Sequence, residues 1–244
     1  MKTKKIPYLG RTLDENVPEL KPYLRPGANV LDVGCDPGTI TLGVAEAVKP
    51  GEVVGIDLDE ERGYETLIVD GQPDWEGWMA RFWEQSLSPW DDMFRVGVRS
   101  DMVSSCFAMP LMLPHREGLV VNTTISTGQT QAGANLFYWL AKIAVNRMEL
   151  GMAVELKEYN IAVVALAPGW LRTAYILQTY KTDDINAHKV KDLWKSESTE
   201  YAGQAVVALA TDPNMMERTG QLLVTREMGP EYGFTDVDGR QPPL

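Results

Sequence analysis

The feature that most constrains this chain is its alternation of short apolar runs with helix-length segments. Five runs read as strands, at 29–33, 52–57, 119–124, 161–166 and 221–225. The run at 161–166 and the first half of 119–124 (Leu119-Val120-Val121) are apolar without alternation, the pattern of parallel strands covered on both faces. Between them lie segments that read as helices, at 39–48, 90–112, 136–158 and 201–210, and a polar helix–loop flap over 175–198. Residues 60–77 read as loop. Strands alternating with helices of this length predict a three-layer α/β sandwich with a mostly parallel sheet.

Composition narrows the partners. The chain has 244 residues, 44% apolar and 23% charged, and a net charge of -11. A field of that sign repels phosphate backbones and anionic lipid surfaces, which argues against nucleic acid and membrane partners. No apolar run is long enough to span a bilayer, and the basic start at 1–5 is followed by no apolar stretch of the signal-peptide kind. Cys35 and Cys106 cannot make a disulfide framework and fit a reducing cytoplasm. His115 and His188 stand apart from other ligand-type residues, so no metal site is expected.

Two constellations carry chemistry. The first is Leu31-Asp32-Val33-Gly34-Cys35-Asp36-Pro37-Gly38-Thr39, with Asp57 ending the next strand. Glycines after a first strand let backbone amides approach a ligand, and an acid after the second strand can accept hydrogen bonds from ribose hydroxyls. This segment, 23–61, resembles class I S-adenosylmethionine-dependent methyltransferases. The resemblance implies that Asp32, Gly34 and Gly38 line the methionine and ribose end and that Asp57 holds the ribose. Asp36 stands where the family has a glycine. A carboxylate there repels a pyrophosphate and is better tolerated by a sulfonium.

The second constellation is Tyr138-Trp139-Leu140-Ala141-Lys142. Four residues of helix place the phenol and the ammonium on one face. A nearby cation favours phenolate, so the pair predicts a lowered tyrosine pKa and proton exchange with a carbonyl or alcohol. The pair follows an apolar strand and a Ser/Thr-rich loop, and precedes another strand and Pro168-Gly169-Trp170-Leu171-Arg172-Thr173. That order resembles the short-chain dehydrogenase/reductase family from about residue 63 to 244. The segments Phe82-Trp83-Glu84-Gln85, Trp90-Asp91-Asp92-Met93-Phe94 and Glu231-Tyr232-Gly233-Phe234-Thr235-Asp236 look like one bacterial branch of it.

The resemblance implies a Rossmann-like fold and NAD or NADP as cofactor. Tyr138 would be the proton donor or acceptor, and Lys142 would lower its pKa and bind the nicotinamide ribose. Pro168, Gly169 and Thr173 would cradle the nicotinamide side. The family's substrate-orienting serine falls thirteen residues before the tyrosine, where Ile125 stands. Ser126 is one residue away and Thr124 one the other way, and Ser126 is taken as the third catalytic residue. The family's helix asparagine is replaced by Gly97, leaving its relay to water. The helix bearing Tyr138 forms the seam of a homodimer or homotetramer in that family.

Together these imply a single α/β domain made as a chimera, a methyltransferase-like portion over 1–62 joined to a dehydrogenase-like portion over 63–244 that is truncated relative to the dehydrogenase fold. Three functions follow: a cytoplasmic oxidoreductase moving a hydride between NAD(P) and a small carbonyl or alcohol, an S-adenosylmethionine-dependent methyltransferase, and a non-catalytic fusion.

Overall fold

The computed structural model describes residues 21–22, 26, 30–33, 53–56, 68–69, 72–73, 80–126 and 135–243. The chain divides into two compact units, 1–65 and 66–244. In the first, β1 (Val30–Val33) and β2 (Val53–Ile56) pair in parallel, Val30 opposite Val53 and Val33 opposite Ile56. The helix expected over 39–48 lies outside the described residues.

The second unit begins with two two-residue strands, β3 (Ile68–Val69) and β4 (Gln72–Pro73), paired antiparallel. The loop expected over 60–77 therefore holds a short hairpin. Asp70-Gly71 separates its strands, the dipeptide that two-residue hairpin loops favour. A helical run follows: α1 (Ser88–Phe94), a π-helical turn (Arg95–Arg99) and α2 (Ser100–Met112). A 3-10 turn with Pro114 and a left-handed Arg116 (φ 50°) end it. Then come β5 (Gly118–Thr123), α3 (Leu136–Leu156) and β6 (Ile161–Ala167). The flap holds α4 (Ala174–Thr179), and α5 (Thr199–Thr211), β7 (Leu222–Val224) and α6 (Thr225–Tyr232) complete the unit.

Strands β5, β6 and β7 form one parallel sheet in that order. Every residue of β6 is buried. Its side chains alternate between two cores, as the pleat requires. Val164 and Leu166 pack with Ala205 and Leu209 of α5, Leu223 of β7 and Met228 of α6. Ile161 and Val163 pack with Ala153 and Leu156 of α3, joined by Met109 and Met112 of α2. Helices thus cover both faces, and the expected three-layer α/β sandwich of Rossmann-like type is present. β5 is only partly buried, unlike the fully buried strand the sequence suggests. Among the described residues it pairs on one edge only.

Two differences from the sequence reading have physical causes. At four-residue spacing Phe94, Val98, Met102 and Cys106 would share one apolar stripe of a regular helix over 90–112. Instead Ser105 and Ala108 are the buried residues of α2, while Met102 and Cys106 are exposed. Small side chains occupy the inner face, and apolar character alone does not say which side faces the core. The second difference is α6, which sequence reading did not anticipate because Gly229 and Pro230 lie within it. Gly229 is needed there: a Cβ would meet the Tyr201 hydroxyl oxygen.

Candidate active site

Helix α3 brings the expected acid/base pair into place. Its sequence is rich in Leu, Ala, Met and Glu, all good helix formers. Asn135 caps it, its Oδ1 accepting from the amides of Phe137 (3.0 Å) and Tyr138 (3.2 Å). The Asn135 amide group also donates to Gln85 Oε1 at 3.1 Å. Trp90 meets the Phe137 ring edge-on at 5.6 Å and stacks on Phe94 at 4.4 Å. Trp90, the last of four tryptophans between 75 and 90, is thus packing, and it fixes α1 against the start of α3. Phe82 and Trp83 are exposed. Trp75 and Trp78 lie outside the described residues.

Lys142 lies one turn beyond Tyr138, its Nζ 6.0 Å from the ring centroid. The ammonium donates to the carbonyl oxygen of Thr123 at 2.9 Å, and Thr124 Oγ1 donates to the carbonyl of Lys142 at 3.0 Å. These two bonds tie α3 to the carboxyl end of β5, the end at which open parallel sheets bind ligands. Ser126, partly buried, leaves that same strand end; residues 127–134 after it are outside the described set.

The electrostatics depart from the sequence expectation. Burial pushes the Tyr138 phenol above its ordinary value, and Lys142 does not bring it down. Burial dominates because the ammonium is bonded to Thr123, a ring's width away. Lys142 itself is lowered by burial, against which Asp101 raises it. Burial lifts the Asp101 carboxyl to about 6, opposed by Lys142 and by a hydrogen bond from Ser100.

Pro168 and Gly169 follow β6 as expected. A Cβ on Gly169 would stand 2.6 Å from Glu197 Oε1 and would run into Arg226 Nη2. Packing within the protein therefore accounts for the glycine. Its amide donates to Glu197 Oε2 at 3.0 Å, and Thr225 Oγ1 donates to the same oxygen at 2.6 Å. Arg226 Nε reaches Glu197 Oε1 at 3.2 Å. Next to this cluster Arg172, 1% exposed, donates to Asp184 (3.0 Å), the Ser196 carbonyl (2.7 Å) and Asp236 (2.9 Å). Thr173 caps α4, its Oγ1 accepting from the Ile176 amide at 3.5 Å. Sequence reading missed Glu197, Arg172 and Asp236, whose partners lie many residues away. Asp32 lies within β1, while Gly34, Gly38 and Asp57 fall outside the described residues. No cluster of metal-ligating residues occurs among the described residues.

The donors at the carboxyl end of β5 suit a sugar and a carbonyl: an ammonium for ribose hydroxyls, with a phenol one turn away. Gly97, at the position of the missing helix asparagine, lies in the π-helical turn, where a Cβ would sit 3.9 Å from Ala141 Cβ. π-helical turns recur at functional sites.

Comparison with known proteins bears on the family and the fold. Residues 76–184 match the model of the short chain dehydrogenase family. Human "Dehydrogenase/reductase SDR family member 1" is 35% identical over 164 residues, covering 65% of this chain and 52% of that protein. The chain thus spans about half the length of this curated relative. Among solved structures, a short chain dehydrogenase from Mycobacterium thermoresistibile aligns with a TM-score of 0.61 at 20% identity, over 86% of this chain and 80% of that one. ElxO, solved with NADP bound, aligns with a TM-score of 0.57 at 17% identity, over 82% of this chain and 97% of that one.

Proposed function

We propose that this chain is an oxidoreductase of the short-chain dehydrogenase type, moving a hydride between NAD or NADP and a small carbonyl or alcohol. The observation that carries this reading is the pairing of Tyr138 and Lys142 on α3, with Lys142 tied to the carboxyl end of β5, inside the segment that matches the family. A bound nicotinamide would supply or accept the hydride. Tyr138 would give its phenolic proton to the substrate oxygen during reduction and take it back during oxidation. Lys142 would donate to the ribose hydroxyls and stabilise the phenolate. Ser126 would orient the substrate oxygen, and Pro168, Gly169 and Thr173 would border the nicotinamide. In the S-adenosylmethionine reading, Asp32, Gly34 and Gly38 would instead line the methionine and ribose end of that cofactor and Asp57 would hold its ribose.

Exposed apolar residues support a homodimer or homotetramer. Met102 and Phe107 on α2, and Leu140, Ile143, Leu150 and Val154 on α3, are all exposed. No helix among the described residues is long and apolar enough to cross a membrane. A cytoplasmic location is our reading from the two cysteines, which cannot form a disulfide framework. The S-adenosylmethionine reading rests on the motif at 23–61, and the parallel pairing of β1 with β2 suits either cofactor.

A thermal-shift panel with NAD, NADP and S-adenosylmethionine tests these readings together. A ligand at a hundredfold excess over its dissociation constant adds about 2.7 kcal/mol, which for a chain of this size raises Tm by about 5–11 °C. A shift with a nicotinamide cofactor is expected. Its absence with both would overturn the oxidoreductase reading, and a shift with S-adenosylmethionine alone would replace it.

A further inference from the structure

Behind Lys142 the inner face of α3 carries a carboxyl group. The buried positions of that helix are Phe137, Ala141, Val145, Glu149, Ala153 and Leu156, so Glu149 occupies a core position. It is 1% exposed. Its Oε1 accepts from Asn122 Nδ2 on β5, while Oε2 has no partner. One turn back on α3, Asn146 donates to the Ile125 carbonyl at 3.5 Å, and its Oδ1 is likewise buried without a partner. Buried polar atoms are seldom left this way, and a cluster of them marks a polar site within the core.

A second carboxyl arrives from α2. The π-helical turn packs on α3, with Gly97 facing Ala141. Asp101 follows Gly97 by four residues and so continues that face. It is partly buried and interacts with both Lys142 and Glu149. The other cations of these elements, Arg95, Arg99 and Arg147, are exposed. From β5 the facing group is the neutral Asn122. The site therefore holds one ammonium and two carboxyls. Two ionised carboxylates would repel each other at low dielectric, whereas one balances the ammonium. Burial accordingly lifts Glu149 to about 7, with Asp101 adding and the Asn122 bond opposing.

We propose that Asp101 and Glu149 are positioning residues of the Tyr138–Lys142 pair, one carboxylate balancing the Lys142 ammonium and the second carboxyl exchanging a proton with water as the charge at Tyr138 changes. The catalytic consequence rests on the oxidoreductase reading; the titrations do not. When Tyr138 passes its proton to a substrate oxygen, a phenolate forms and the buried group gains one negative charge. One proton then passes from a solvent hydronium, which loses an O–H bond and becomes water, to a carboxylate of the pair, which gains one, and the charge is restored. No electrons change centre in that step.

The test follows Lys142 by NMR in protein labelled at lysine Cε, with Lys142→Met assigning the signal, and follows the carboxyls with 13C-labelled Asp and Glu. Asp101→Asn, close to isosteric, is expected to move the Lys142 titration down by about one pH unit. Asp101→Glu should restore it. Glu149→Gln should lower the pH at which the remaining buried carboxyl titrates. In the pH profile of turnover the same two variants should displace the limbs while KM for the cofactor stays within twofold. A Lys142 titration unmoved by Asp101→Asn, or no carboxyl titrating near neutrality, would overturn the proposal. Wild-type protein without oxidoreductase activity would instead sink the function, leaving the titrations to decide the cluster.

Discussion

Replacing Arg172 by Met should be among the costliest single changes in the second unit. The guanidinium is fully buried, and it donates to Asp184, Ser196 and Asp236. Methionine keeps much of the volume and removes every one of those donors. Asp184 is about one-third exposed and can turn to water; Asp236, with 2% of its side chain exposed, cannot. Asp236 would keep amide donors from Ser198 (3.2 Å) and Val237 (2.7 Å) but lose its cation. Leaving one partner of a buried pair uncompensated costs about 3–5 kcal/mol, and the two amides put this case near the lower end, at about 3 kcal/mol. That corresponds to a fall in Tm of about 6–12 °C. Urea unfolding followed by tryptophan fluorescence would measure it, since Trp170 and Trp194 flank the cluster in sequence. The double variant Arg172→Met/Asp236→Asn should recover at least about 1 kcal/mol relative to the sum of the singles. A single-variant cost below about 1 kcal/mol, or strict additivity, would refute the idea that this ion pair anchors the flap to the C-terminal segment.

Other changes probe the site. Tyr138→Phe should cut turnover by about 10²–10⁴-fold while leaving a cofactor-induced thermal shift in place; an unaltered rate would remove Tyr138 from the chemistry. Asn135→Ala uncaps α3 beside Tyr138 and should cost about 1 kcal/mol in chemical denaturation. Gly169→Ala forces its Cβ against Glu197 and Arg226 and should cost about 1–3 kcal/mol, read as a lower urea midpoint. Glu149 gives a pH signature. Its folded value, about 7, lies above its ordinary 4.5, so the folded state holds the extra proton between those values. Stability present below pH 4.5 is therefore lost as pH rises through about 7, by about 3 kcal/mol from this group. Glu149→Gln should flatten that part of the stability profile, and an unchanged slope would show that another group causes it.

The strands β5 and β6 and the helix α3 were legible because local patterns specify them: short apolar runs for the strands, and between them a helix-length stretch with no proline. Tyr138 and Lys142 were legible for the same reason, since a four-residue spacing on a helix fixes their relation. The sign of the Tyr138 shift was not. It depends on how deeply the phenol is buried and on Thr123, fifteen residues before it, drawing the ammonium away. Nor could sequence pair Arg172 with Asp236 or Glu197 with Arg226, because such contacts are decided by how distant segments pack. Glu149 carried a signal that went unused: a carboxylate at a position whose helical neighbours Val145 and Ala153 are both core.

The π-helical turn at Arg95–Arg99 sets which side chains α2 can offer to α3. Relative to an α-helix it holds one surplus residue. The wide turn absorbs that residue; wound as regular α-helix instead, the same residues would rotate everything after them by about 100°. Asp101 would then swing off the side of the helix that faces Lys142, with no change in its identity. In this protein the length of one helical turn, as much as any side chain, decides which acid meets the site lysine. A change that closed this turn to regular α-helix without removing a residue would therefore rewire the site without altering one of its residues.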